Sequence, residues 1–83
     1  MKMEELIGRF DGSEDPERRA LSRTMKRKYL ELKREEDIIL RNIKFEFLSG
    51  CINTMLALGE ITDAEEDKLW HELFASLQRE EKT

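Results

Sequence analysis

Apolar residues recur along most of this chain at the spacing of one helix face. From Pro16 onward, Leu21, Met25, Tyr29, Leu32, Ile39, Ile43, Phe47, Cys51, Met55 and Leu58 follow in steps of three, four and seven, which is the period of one side of an α-helix. One layer is missing, where Glu35 and Glu36 stand, and no glycine, proline or turn cluster interrupts the chain there. The pattern therefore predicts one helix over about 16–58, on the order of 60 Å long at 1.5 Å per residue. A break near Glu36-Asp37, giving a three-helix bundle, is the alternative. The start is well marked: Asp15 suits an N-cap, Pro16 the first helical position, and Glu17 adds favourable charge in the first turn. Ser49-Gly50 is the weak point, because a mid-helix glycine costs about 1 kcal/mol.

The helix is expected to stop at a corner between Met55 and Glu66. Gly59 is placed to take the left-handed conformation that closes a last turn. Thr62 and Glu65 form the pattern of a capping box, with Ile61 just before it as an apolar staple. A second helix follows over about 63–80, with Leu69, Trp70, Leu73, Phe74 and Leu77 on its apolar side. The link is so short that this helix must fold back antiparallel on the end of the first. Phe47, Cys51, Ile52, Met55 and Leu58 are expected to face Leu69, Trp70, Leu73 and Leu77. At the other end Met3, Leu6, Ile7 and Phe10 share one side of a short helix that must dock to be stable. Asp11-Gly12-Ser13 reads as a turn. The expected fold is all-α: a long helix over 16–58, folded back on a helix over 63–80 as an antiparallel hairpin, plus a short N-terminal helix.

Lengths then do not match. The returning helix covers only the later part of the long one. Leu21, Met25, Tyr29 and Leu32 are left as a seam for a second copy or another protein, so a homodimeric bundle is expected. The chain's 83 residues point the same way. One domain over 1–83 of this size buries only ~60–65% of the surface its unfolded form exposes.

Composition narrows the function classes. Charged residues make up 41% and hydrophobic residues 39%, too apolar for a disordered chain. Valine is absent and the isoleucines fall at helical spacing, which supports an all-α fold. Cys51 is alone, so neither a disulfide framework nor a multi-cysteine metal site can form. No apolar run is long enough for a bilayer and no signal peptide opens the chain, so a cytoplasmic protein away from membranes is expected. His71 has Asp67 four residues before it, but two groups on one exposed face are not a ligand set. Neither a nucleophile triad, nor a glycine-rich phosphate loop, nor a carboxylate pair occurs. No catalytic residue, metal or cofactor is assigned, and an enzyme is not expected.

Charge is the remaining signal. Arg18, Arg19, Arg23, Lys26, Arg27, Lys28, Lys33 and Arg34 form a basic face opposed only by Glu17 and Glu31, while the chain as a whole carries −4. Such a face suits nucleic-acid phosphates, or an acidic protein surface. Tyr29 is its only aromatic, so there is no platform for stacking single-stranded bases. Glu60, Asp63, Glu65, Glu66 and Asp67 cluster at the corner, where capping and the helix dipole account for most of them.

Residues 52–77 resemble the short helical hairpin known as the SHOCT domain, through Ile52, Met55, Leu58, Gly59, Ile61, Thr62, Glu65 and Glu66. The chain departs from that family at Glu66-Asp67, where the family places an aromatic. The resemblance implies an oligomerising or interaction hairpin and no activity. As a small, charged helical protein the chain is also similar in kind to accessory proteins of phages and mobile elements, anti-CRISPR proteins among them. The expected function is a non-enzymatic protein–protein interaction module that regulates or inhibits a larger partner, such as a nucleic-acid-processing machine. A nucleic-acid binder using residues 17–34, or a structural subunit of a phage or cellular assembly, are the alternatives.

Overall fold

Three capped starts and one left-handed glycine divide the chain into four helices. The computed structural model describes residues 1–78, with α1 (Met3–Asp11), α2 (Pro16–Arg34), α3 (Ile38–Ala57) and α4 (Asp63–Leu77). No strand occurs among the described residues. The Asp15 carboxylate accepts from the Glu17 N–H at 2.9 Å and opens α2. Thr62 and Glu65 make the expected capping box at the start of α4, at 3.1 and 2.9 Å. Before it, Gly59 has φ +75°. The N–H of Glu60 reaches back to the Met55 carbonyl at 2.9 Å, and that of Gly59 to Leu56 at 3.1 Å. Those bonds satisfy carbonyls that the end of α3 would otherwise leave open. The expected final helix extended to 80; its last residues lie outside the described ones.

The helix predicted over 16–58 is two helices, and the break falls at the missing apolar layer. Glu35, Glu36 and Asp37 are the turn itself. The Asp37 carboxylate caps α3, accepting from the N–H groups of Ile39 at 2.8 Å and Leu40 at 3.2 Å. The Glu35 carboxylate accepts from the Asp37 N–H at 3.2 Å and pairs with Lys44 at 2.6 Å. Arg41, only 3% exposed, donates to the carbonyls of Glu35 and Leu77, at 3.0 and 3.3 Å. One buried guanidinium therefore ties the turn to the end of α4. Gly50 interrupts nothing, and α3 runs through it.

The break removes the mismatch of lengths. Helix α2 packs against α1, α3 and α4. Met25 and Leu32 are fully buried within the single chain, Tyr29 is 5% exposed, and Leu21 packs at the edge of the same core. The seam expected at Leu21, Met25, Tyr29 and Leu32 is thus an internal one, and Met25, Tyr29 and Leu32 leave nothing for a partner to cover. Met3, Leu6, Ile7 and Phe10 of α1 complete that core.

Helix α4 runs back along α3, with the rings of Trp70 and Phe74 lying 5.6 and 5.3 Å from Phe45. The residues of α3 that face inward are Arg41, Phe45, Leu48, Ile52 and Met55. This corrects the expected packing: Phe47 and Leu58 do not face α4, because the side of α3 that carries them is turned outward. The whole molecule measures 44 × 25 × 17 Å. With helices packed ~8–10 Å apart, the thin dimension holds two helical layers, so no helix is enclosed all round.

Candidate interaction surface

Helix α3 is apolar on two sides, and only one of them is covered. The outer side carries Ile39, Ile43, Phe47 and Leu58, which are 69, 59, 38 and 73% exposed. Ile38 and Leu40 are exposed beside them, and so is Phe74 of α4, whose ring contacts that of Phe45. From Ile38 to Leu58 the only fully exposed charged residue is Glu46. In a chain that is 41% charged this is unusual. The exposed side of α2, by contrast, consists largely of Glu17, Arg23, Lys26, Arg27, Lys33 and Arg34. A face without charges costs little to dehydrate, and covering it removes apolar area from water at ~25 cal/mol per Å². Gly50 sits in the middle of this side. A Cβ built there meets nothing within 4 Å, so packing within the chain does not call for a glycine.

Along one edge of the stripe, α2 and α3 part to leave a groove of about 530 Å³. Its walls are Phe10, Leu21, Phe47, Cys51, Met55 and Leu58. Arg18 and Glu60 also line it, paired through both guanidinium nitrogens at 2.5 and 2.8 Å. The same guanidinium stacks over the Phe10 ring at 4.3 Å. Its hydrogen bond holds the Glu60 carboxyl below the usual carboxylate range. Burial pushes the Cys51 thiol up, so it stays protonated and weakly reactive.

The structure spends part of the predicted basic face on its own architecture. Arg18 pairs with Glu60, Arg19 donates to the Ser13 carbonyl at 2.8 Å, Lys28 lies 3.6 Å from Glu31, and Lys33 sits 4.9 Å over the Tyr29 ring. Arg23, Lys26, Arg27 and Arg34 remain exposed, and none of them has an acidic partner among the described residues. Two acids of the corner are likewise structural. Glu65 is held below its ordinary range first by the Thr62 N–H and then by Arg9, 3.2 Å away.

Polar chemistry elsewhere serves packing. The Glu72 carboxylate accepts from the Met3 N–H at 2.6 Å and from the Tyr29 hydroxyl, pinning α1 and α2 to α4. Burial, then that hydrogen bond, drives the Tyr29 phenol well above its ordinary range. His71 lies 3.8 Å from Asp67, both mostly exposed. No cluster of three or more histidine, cysteine or acidic side chains suited to a metal occurs among the described residues, and no helix there is long and apolar enough to cross a membrane.

The sequence pattern puts Ile39, Ile43, Phe47 and Leu58 on one apolar helix face and sets Phe47 and Leu58 against the returning helix. That reading missed their value as a surface, although the signal was present: Phe45, Leu48 and Ile52 mark a second apolar line on the same helix. No protein-family model matches the chain, and neither a curated protein nor a solved structure matches it.

Proposed function

We propose that this chain is a non-enzymatic protein–protein interaction module that acts by occupying a surface. The observation that carries the reading is the outer side of α3, an apolar stripe with a single exposed charge on a helix packed against α2 and α4. A stripe from residue 39 to residue 58 spans about 28 Å at 1.5 Å per residue, the length of an ordinary helix–helix contact. Rigid elements lose little entropy on binding, which favours affinity per unit of area. The resemblance of residues 52–77 to a SHOCT-type hairpin, which implies interaction and no activity, agrees with this reading. The test is capture of binding proteins by wild type, by Ile39→Glu/Ile43→Glu, and by Arg23→Glu/Lys26→Glu/Arg27→Glu. A protein lost by the first variant and kept by the second supports the reading. Full retention by the first variant overturns it.

A second reading rests on α2. Arg23, Lys26, Arg27 and Arg34 project without acidic partners among the described residues, as phosphate contacts require. If α2 binds duplex nucleic acid, wild-type affinity falls steeply with salt and the triple charge reversal abolishes it. No mobility shift of duplex by wild type at low salt removes this reading.

A further inference from the structure

Resting on the reading of α3 as a binding face, we infer that its occupant is a second copy of this chain, paired antiparallel across a two-fold axis between Phe47 and Gly50. The argument is the order of the stripe. Its positions are Ile39, Ile43, Phe47, Gly50, Thr54 and Leu58, all exposed, spaced four, four, three, four and four. That spacing reads the same in both directions. An antiparallel copy therefore sets Ile39 against Leu58 of the second copy, Ile43 against its Thr54, and Phe47 against its Gly50. Isologous contacts require such reciprocity.

Size and charge agree with this register. Phe47 meets the one position of the stripe that has no side chain, and the space above Gly50 is open. Gly50 also lines the groove between α2 and α3, so the incoming ring of Phe47 arrives at the lip of an apolar pocket. An aromatic anchor entering a pocket at the centre of a contact is the usual form of an energetic hot spot. Mid-helix glycine lowers helix stability, and close approach of another backbone is what it permits here. Glu46, the lone exposed charge between Ile38 and Leu58, lies nearest Asn53 of the second copy and not its own twin. The exposed parts of Ile38, Ile39, Ile43, Phe47 and Phe74 amount to roughly 550 Å² at ~200 Å² per large apolar side chain. A standard interface buries about 800 Å² per partner, which the neighbouring neutral positions can complete.

The experiment is sedimentation equilibrium of the full chain over a range of concentrations, with circular dichroism of each variant to verify the fold. Wild type dimerises, while Gly50→Leu and Ile43→Glu raise the dissociation constant at least about tenfold. Gly50→Leu keeps its fold, because leucine is the better helix former and its Cβ meets nothing within 4 Å among the described residues. In a Cys51→Ser background, the double variant Ile43→Cys/Thr54→Cys oxidises to a disulfide-linked dimer. Neither single variant does so, since two copies of the same position stand about 16 Å apart along the axis, 11 residues at 1.5 Å each. A wild type that remains monomeric when concentrated overturns the second copy and leaves the binding face itself to the capture test. A dimer indifferent to both Gly50→Leu and Ile43→Glu, or a double variant that fails to cross-link, also overturns the inference.

Discussion

Exchanging Leu48 and Ile43 for alanine, one at a time, separates the two sides of α3. Leu48 is completely buried and belongs to the core shared with Ile52, Leu69 and Leu73. Its truncation removes apolar contact and leaves a cavity that the neighbours fill only partly, at a cost of about 3 kcal/mol within the usual 2–5. In a domain of this size each kcal/mol moves Tm by roughly 4–8 °C, so the variant melts about 12–24 °C lower. Ile43 is 59% exposed and lies on the same helix, five residues earlier. Its truncation opens no cavity, and alanine is the better helix former, so the net change stays within about 0.5 kcal/mol. Urea denaturation followed by far-UV circular dichroism measures both, at protein concentrations low enough to keep a second copy dissociated. Equal losses for the two variants, or a larger loss for Ile43→Ala, refute the assignment of inner and outer sides.

Other consequences follow from single atoms. The Ser49 hydroxyl is buried without a hydrogen-bond partner among the described residues, so Ser49→Ala raises stability by about 1 kcal/mol in the same urea assay. Gly59 has φ +75°, and Gly59→Ala there costs about 1–2 kcal/mol for placing a Cβ in the left-handed region. Acid sensitivity comes from Glu35, Glu60 and Glu65, whose folded-state pKa values lie below the unfolded 4.5. Their contribution is complete above that pH and is lost as pH falls below it, so the urea midpoint drops in acid and Arg18→Met flattens the drop. Tyr29 acts in the opposite sense: its phenol is raised above the unfolded 10.0, so its contribution holds below that pH and is lost as pH climbs beyond it.

How much of this could be read from residues alone depended on whether a signal was local. Asp15-Pro16, Gly59 and the Thr62–Glu65 pair act on their own neighbours, and the structure places each in the expected role. The turn at Glu35–Asp37 was local too. Asp37 is a good N-cap ahead of Ile38, Ile39 and Leu40, but a gap in a period resembles a skipped layer as much as a stop. Arg41 gave no sign that it would be buried, since its acceptors are carbonyls supplied by the turn and by α4. The orientation of α3 was the hardest feature. Lines through 39, 43 and 47 and through 45, 48 and 52 both satisfy a helical period. Which of them turns inward is decided by the rings of Trp70 and Phe74, which meet Phe45 from another helix. The seam at Met25, Tyr29 and Leu32 was correctly read as apolar and lost its partner-binding meaning once the long helix folded upon itself.

The account depends on an outer side of α3 that is open in one chain and covered when two meet. Thiol-labelling kinetics at Ile43→Cys, in a Cys51→Ser background, measure this directly, with Arg27→Cys on α2 as the reference. At high dilution both positions react at the rate of a free exposed thiol. As the protein is concentrated, labelling at position 43 slows while that at 27 does not change. Slow labelling at 43 at every dilution, or equal rates at every concentration, contradicts the account.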